Sequence, residues 1–125
     1  MSILLPELAR KGESHRLKRV SEQVRDFLSE AIIRGDLPSF ISFSLSPTIN
    51  SVELSPDLRH AKVFFSTFDN NSHDVGKKLN LASKHLRHVL GKKMTTKYTP
   101  KLVFYHDEQM AVTNRVEELL SKFSQ

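Results

Sequence analysis

At 125 residues the chain is long enough for one hydrophobic core and too short for two. Its 38% hydrophobic and 26% charged content excludes a disordered chain, and the absence of cysteine excludes disulfides, thiolate metal sites and a thiol nucleophile. The net charge of +5 is uneven: residues 76–105 hold eight Lys/Arg and no acid, whereas residues 35–75 hold two Lys/Arg against five acids. Such a concentrated block suits a surface that faces a polyanion.

No apolar run reaches the roughly 18 residues of a membrane span. Ile3-Leu4-Leu5 is cut off by Pro6 and Glu7, too short for a signal-peptide core. Residues 1–13 are expected to be a flexible leader and residues 14–123 one domain of a cytoplasmic protein. The first helix is expected to start after Ser14 as N-cap and to reach about Arg34. Its stripe is Leu17, Val20, Val24, Phe27, Leu28 and Ala31, and Gly35 closes it. Ser39–Pro47 carries Phe40, Ile41, Phe43 and Leu45 without clear turn signals, and fits either a loop packed on the core or an early strand. Thr48–Leu54 reads as a strand, Ser55-Pro56-Asp57 as a turn, and Arg59–Phe68 as a second strand with Ala61, Val63, Phe65 and Thr67 on one face.

A helical pattern returns from about His73 to Lys93, with a split left open. Val75, Leu79, Ala82, Leu86, Val89 and Leu90 form its apolar stripe, while Lys77, Lys84, His88 and Lys92 lie opposite, flanked by Arg87. Lys101–His106 is the third strand. A final helix over about Gln109–Phe123 carries Val112, Val116, Leu119, Leu120 and Phe123 on one side. The order α-β-β-α-β-α predicts a small α+β domain, its sheet covered by helices.

Several of these segments resemble the bacterial ribosome-binding factor A family. Val52-Glu53-Leu54-Ser55-Pro56-Asp57-Leu58-Arg59-His60-Ala61-Lys62-Val63 is similar to its hairpin signature. Leu86-Arg87-His88-Val89-Leu90-Gly91-Lys92-Lys93-Met94 is similar to its second, Tyr98-Thr99-Pro100-Lys101-Leu102-Val103-Phe104 with Asp107 to its third, and Arg19-Val20-Ser21-Glu22-Gln23-Val24 to its opening helix. The matches are collinear over about Arg16–Leu120. The resemblance implies a KH-like domain of type II topology, α-β-β-α(kinked)-β-α with a three-stranded sheet. It also implies an assembly factor without catalytic activity. Such a factor binds the free small ribosomal subunit and its 16S rRNA late in maturation, supports processing of the rRNA 5′ region, and matters for growth in the cold. Two departures stand out. The backbone-clamping GXXG loop of standard KH domains is missing. Where relatives carry an Ala-x-Gly kink, this chain reads Ala82-Ser83-Lys84.

A solvated helix face normally mixes signs, because i,i+4 acid–base pairs stabilise it. The absence of any acid from Val75 to Tyr105 therefore favours phosphate as the missing counter-charge, taken bidentately by Arg and as a point charge by Lys. Lys77, Lys84, Arg87, His88, Lys92 and Lys93 are the expected rRNA backbone contacts. Ser55, Pro56, Asp57 and Arg59 are assigned mainly to the shape of the hairpin, with a binding role for Arg59 left open. Base stacking by Phe64, Phe68, Tyr98 or Tyr105 has no support in the sequence.

His85 and His88 stand three apart, as metal ligands can, but no carboxylate is near them in sequence and the surrounding cations repel a metal ion. His106-Asp107-Glu108 suits a helix start, and no nucleophile elbow, Walker loop or dinucleotide fingerprint is present. The expectation is a monomeric, non-enzymatic RNA-binding domain with no metal, cofactor, membrane or small-molecule partner. Two alternatives stay open: a generic RNA-binding module or ribosomal protein, and a protein-interaction domain with an acidic partner.

Overall fold

The computed structural model describes residues 4–68 and 71–107. Its elements are α1 (Leu4–Arg34), β1 (Thr48–Leu54), β2 (His60–Ser66), α2 (Ser72–Leu81), α3 (Ser83–Lys93) and β3 (Lys101–His106). The expected final helix, Gln109–Phe123, lies outside the described residues.

Helix α1 already includes Leu4, well before the expected Ser14 cap, so the described part of the leader 1–13 is helical from residue 4 onward. Pro6 is the third described residue of the helix, and proline is tolerated in a helix's first turn. Glu7-Leu8-Ala9-Arg10-Lys11 are strong helix formers, and one Gly at position 12 costs only about 1 kcal/mol. The other end follows expectation. Gly35 takes a left-handed φ of +74°, Asp36 N–H donates to Ala31 O at 2.8 Å, and Gly35 N–H donates to Ile32 O at 3.1 Å. This paired closure satisfies two carbonyls that the helix end would otherwise leave open.

Residues 39–47 form a loop, not a strand, with Ile41 and Pro47 buried and Phe43 half-buried. The sheet order is β1-β2-β3, with β2 central. β1 pairs antiparallel with β2, Val52 facing Val63, and carries a bulge between Ile49 and Ser51. The extra residue, Asn50, lets Ile49 and Val52 both face the core although they stand three apart. Asn50 spans the sheet by donating from Nδ2 to Asp107 Oδ2 at 3.2 Å and accepting the Ser66 hydroxyl at 3.2 Å. β2 is shorter at both ends than the expected Arg59–Phe68.

The helices cover one face of the sheet. α1 contributes Val24, Leu28, Ala31 and Ile32, and α2–α3 contribute Val75, Leu79, Ala82, Leu86 and Leu90. Ile32 joins a stripe that the sequence periodicity had drawn without it. Leu79 and Leu86 are 0% exposed, each worth about 1.5–3 kcal/mol of burial. Among the described residues no polar or charged side chain is fully buried. None of their helices is long and apolar enough to cross a membrane.

The helical stretch 72–93 breaks at Ala82. Ala82 sits at φ −86°, ψ −1°, and its N–H is shared between Lys78 O at 3.0 Å and Leu79 O at 3.1 Å. The only positive φ at a non-glycine among the described residues is at Leu58. Ala82, Ser83 and Lys84 thus make the break with negative φ angles that any residue adopts.

Candidate nucleic-acid interface

β2 and β3 run parallel, so both begin at the same end of the sheet. His60 is in register with Lys101, and Lys101 N–H donates to Arg59 O at 2.8 Å. Helix α3 brings a stripe to this end at i, i+3, i+4, i+7 and i+8 spacing: Lys84, Arg87, His88, Gly91 and Lys92. Leu86 and Leu90 face the core from the same helix. An open groove of about 1020 Å³ lies along the stripe, its other walls formed by Arg59, His60, Lys101 and the loop residues Lys97, Tyr98 and Thr99. Among the described residues six Lys/Arg and two His line it, and no acidic side chain does.

The loop between α3 and β3 is held tightly against α3. A Cβ on Gly91 would lie 3.0 Å from Thr99 Oγ1, so glycine is what allows the close approach. Arg87 donates from Nε and Nη2 to Thr99 O at 3.2 and 3.0 Å, and Thr96 Oγ1 donates to Tyr98 O at 2.9 Å. Tyr98 therefore has a fixed backbone and a ring that is 40% exposed. The Arg59 guanidinium lies 4.7 Å from the ring centroid and the Lys97 ammonium 5.4 Å.

The hairpin turn fixes Arg59. Asp57 Oδ1 accepts the Ser55 hydroxyl at 2.6 Å and the Arg59 N–H at 3.1 Å, and Ser55 Oγ accepts the His60 N–H at 3.0 Å. The Ser55 hydroxyl first, and the Arg59 N–H second, hold the Asp57 carboxyl below its ordinary pKa. Leu58 takes a left-handed φ of 62°, which closes the turn.

Of the expected contacts, the groove gathers Lys84, Arg87, His88 and Lys92. Lys77 sits exposed on α2, beyond the break at Ala82, and does not line the groove. Lys93 turns the other way: its Nζ is 3.7 Å from Glu30 and 5.7 Å from the Phe27 ring centroid. Arg87 is partly committed to Thr99. His85 and His88 part company, since His85 Nε2 lies 2.9 Å from Asp36 Oδ1 while His88 lines the groove. The groove also contains residues that the sequence reading did not place among the expected contacts: His60, Lys97, Tyr98 and Lys101. Lys97 and Lys101 belong to the same acid-free block, and that run was their one available signal. His60 and Arg59 come from a distant hairpin, and only the parallel pairing of β2 with β3 brings them here.

Residues 16–120 match the family model described as Ribosome-binding factor A. The chain belongs to that family. A ribosome-binding factor A from Coxiella burnetii is 34% identical over 110 residues, covering 87% of this chain and 90% of its own length. The KH-like fold is shared with solved structures of such factors. The solution structure of a putative ribosome binding factor A from Thermotoga maritima gives a TM-score of 0.64 at 24% identity, covering 74% of this chain and 87% of that one. A homology model of the Thermus thermophilus factor, fitted into a cryo-EM map of its complex with the 30S subunit, gives 0.55 at 20% identity, covering 71% of this chain and 92% of that one.

Proposed function

We propose that the chain is a ribosome assembly factor that docks its basic groove on the free small (30S) subunit and supports late maturation, including processing of the 5′ region of 16S rRNA. The observation that carries the reading is the groove itself, where the described residues place six Lys/Arg and two His around one concavity and no acid, in a chain of the ribosome-binding factor A family. A fold relative fitted into a map of its own 30S complex supports the same reading.

The chemistry is binding. Ammonium groups of Lys84, Lys92, Lys97 and Lys101 act as point charges for phosphate oxygens, and the release of condensed counterions supplies most of the affinity. Such contacts position the protein on an RNA surface and carry little base information. The factor works by differential affinity: it holds one rRNA conformation near the end of assembly and leaves when maturation changes that surface. It acts as a cytoplasmic monomer, without cofactor or small-molecule substrate, and its loss is felt most in the cold.

Co-sedimentation with small subunits, large subunits and intact ribosomes across a salt series tests this. Selective, salt-sensitive retention on free small subunits is expected. Equal retention on all particles would reduce the chain to a non-specific basic domain, and retention on translating ribosomes would favour a permanent ribosomal protein.

A further inference from the structure

Among the described residues the groove holds Tyr98 as an aromatic side chain amid its cations, and the phosphate-binding role proposed above makes no use of it. Tyr98 stands on a loop whose backbone is fixed from three directions: Arg87 bonds to Thr99 O, Thr96 bonds to Tyr98 O, and Gly91 admits Thr99 against α3. Its ring is 40% exposed, with Arg59 4.7 Å and Lys97 5.4 Å from the centroid. Cations around an aromatic ring polarise it and also attract phosphate. A base inside a duplex has both faces covered by its neighbours, whereas an unpaired base offers a free π-face to an aromatic side chain.

From this we infer that Tyr98 is a stacking platform for one unpaired base, so that the groove takes a single-stranded RNA segment. The strand's phosphates run along Lys84, His88 and Lys92 of α3, and Arg59 and Lys97 flank the stacked nucleotide. This inference rests on the RNA-binding reading and narrows its ligand from RNA in general to a strand with at least one free base.

The test uses the full chain with a short single-stranded RNA, the same sequence as a duplex, and an oligoglutamate peptide. The chain has two tyrosines and no tryptophan, so in Tyr105→Phe the remaining tyrosine emission reports Tyr98 alone. Single-stranded RNA is expected to quench that emission, and the duplex to leave it nearly unchanged. Tyr98→Ala is expected to weaken single-strand binding about tenfold or more while Tyr98→Phe holds it within about twofold, with thermal unfolding confirming that both variants are folded. Unquenched emission, or equal single-strand affinity in Tyr98→Ala, would overturn the stacking role while leaving phosphate binding intact, provided Lys84→Glu with Lys92→Glu still abolishes binding. Unchanged RNA binding in that double variant would overturn the RNA-binding reading itself. Peptide binding as tight as RNA binding, and insensitive to Tyr98→Ala, would overturn both in favour of an acidic protein partner.

Discussion

Most cations of residues 76–105 fall into two sets with different surroundings, Lys77 belonging to neither. Lys78, His85 and Lys93 reach acids: Asp74 at 3.4 Å, Asp36 at 2.9 Å and Glu30 at 3.7 Å. Lys78 also donates to Ser42 O at 3.1 Å. These groups pin the helices to α1 and to the loop that follows it. Lys84, Lys92 and Lys101 have no ion pair among the described residues and share the groove with Arg59, His88 and Lys97. One acid-free run of sequence thus does two jobs, fastening the domain on one side and presenting uncompensated charge on the other. The counter-charges of the first set come from residues 30, 36 and 74, which the run itself does not contain.

The sharpest way to break that division is to reverse charge on the groove side alone. Lys84→Glu with Lys92→Glu should weaken RNA binding about a hundredfold or more and flatten the salt dependence by about two phosphate contacts, read from log affinity against log salt. Thermal unfolding should be nearly unchanged, because neither lysine has an ion pair to lose among the described residues.

A smaller effect is expected from moving the groove's wall. Gly91→Val sets a Cβ 3.0 Å from Thr99 Oγ1 with two methyl groups beyond it, so the Thr99 side chain must give way, and overpacking of this kind is expected to cost about 1–3 kcal/mol of stability. Binding should fall with it, since Lys97 and Tyr98 ride on that loop. A Gly91→Val variant of unchanged melting temperature and unchanged affinity would contradict the close approach described for Thr99.

The hairpin gives a pH test. The Asp57 carboxyl has a lowered pKa in the folded chain, so its contribution to stability is present above the ordinary carboxylate pKa and is lost as pH falls through the folded value. Acid titration of wild type against Asp57→Asn should therefore show the wild type losing more stability on acidification, by a small margin because the group is exposed. The opposite ordering would contradict the Ser55 and Arg59 bonds as its cause.

The smallest effect belongs to the paired set. Lys93→Gln should change RNA affinity less than about twofold and stability by about 0–1 kcal/mol, as for an exposed ion pair. A tenfold loss of binding would place Lys93 in the interface and erase the division.

Much of the fold was legible in the sequence because it follows from local periodicity. The strands at Thr48–Leu54 and Lys101–His106, the closure at Gly35 and the stripe Val75, Leu79, Ala82, Leu86, Leu90 all stand where the pattern put them. The start of α1 was misread because Ser14 looks like a cap, although nothing after Pro6 obliges the chain to stay out of a helix. The bulge at Asn50 was hidden, since a two-residue alternation cannot place Ile49 and Val52 on one face. The site was only half legible. Spacing along α3 located Lys84, Arg87, His88 and Lys92, but Lys77 was drawn onto the same face by extending one straight helix through Ala82. Arg59, His60 and Tyr98 reach the groove through tertiary contacts that no local pattern encodes.

The most direct test of the groove as the RNA-binding surface is an NMR titration of the isotope-labelled chain with small-subunit rRNA, read at backbone and side-chain resonances. Shifts should concentrate on Arg59, Lys84, His88, Lys92 and Tyr98 and leave Lys77, Lys78 and Lys93 nearly unmoved. Shifts centred on Lys77 and Lys78, or on the exposed side chains of Val103 and Tyr105, would contradict it.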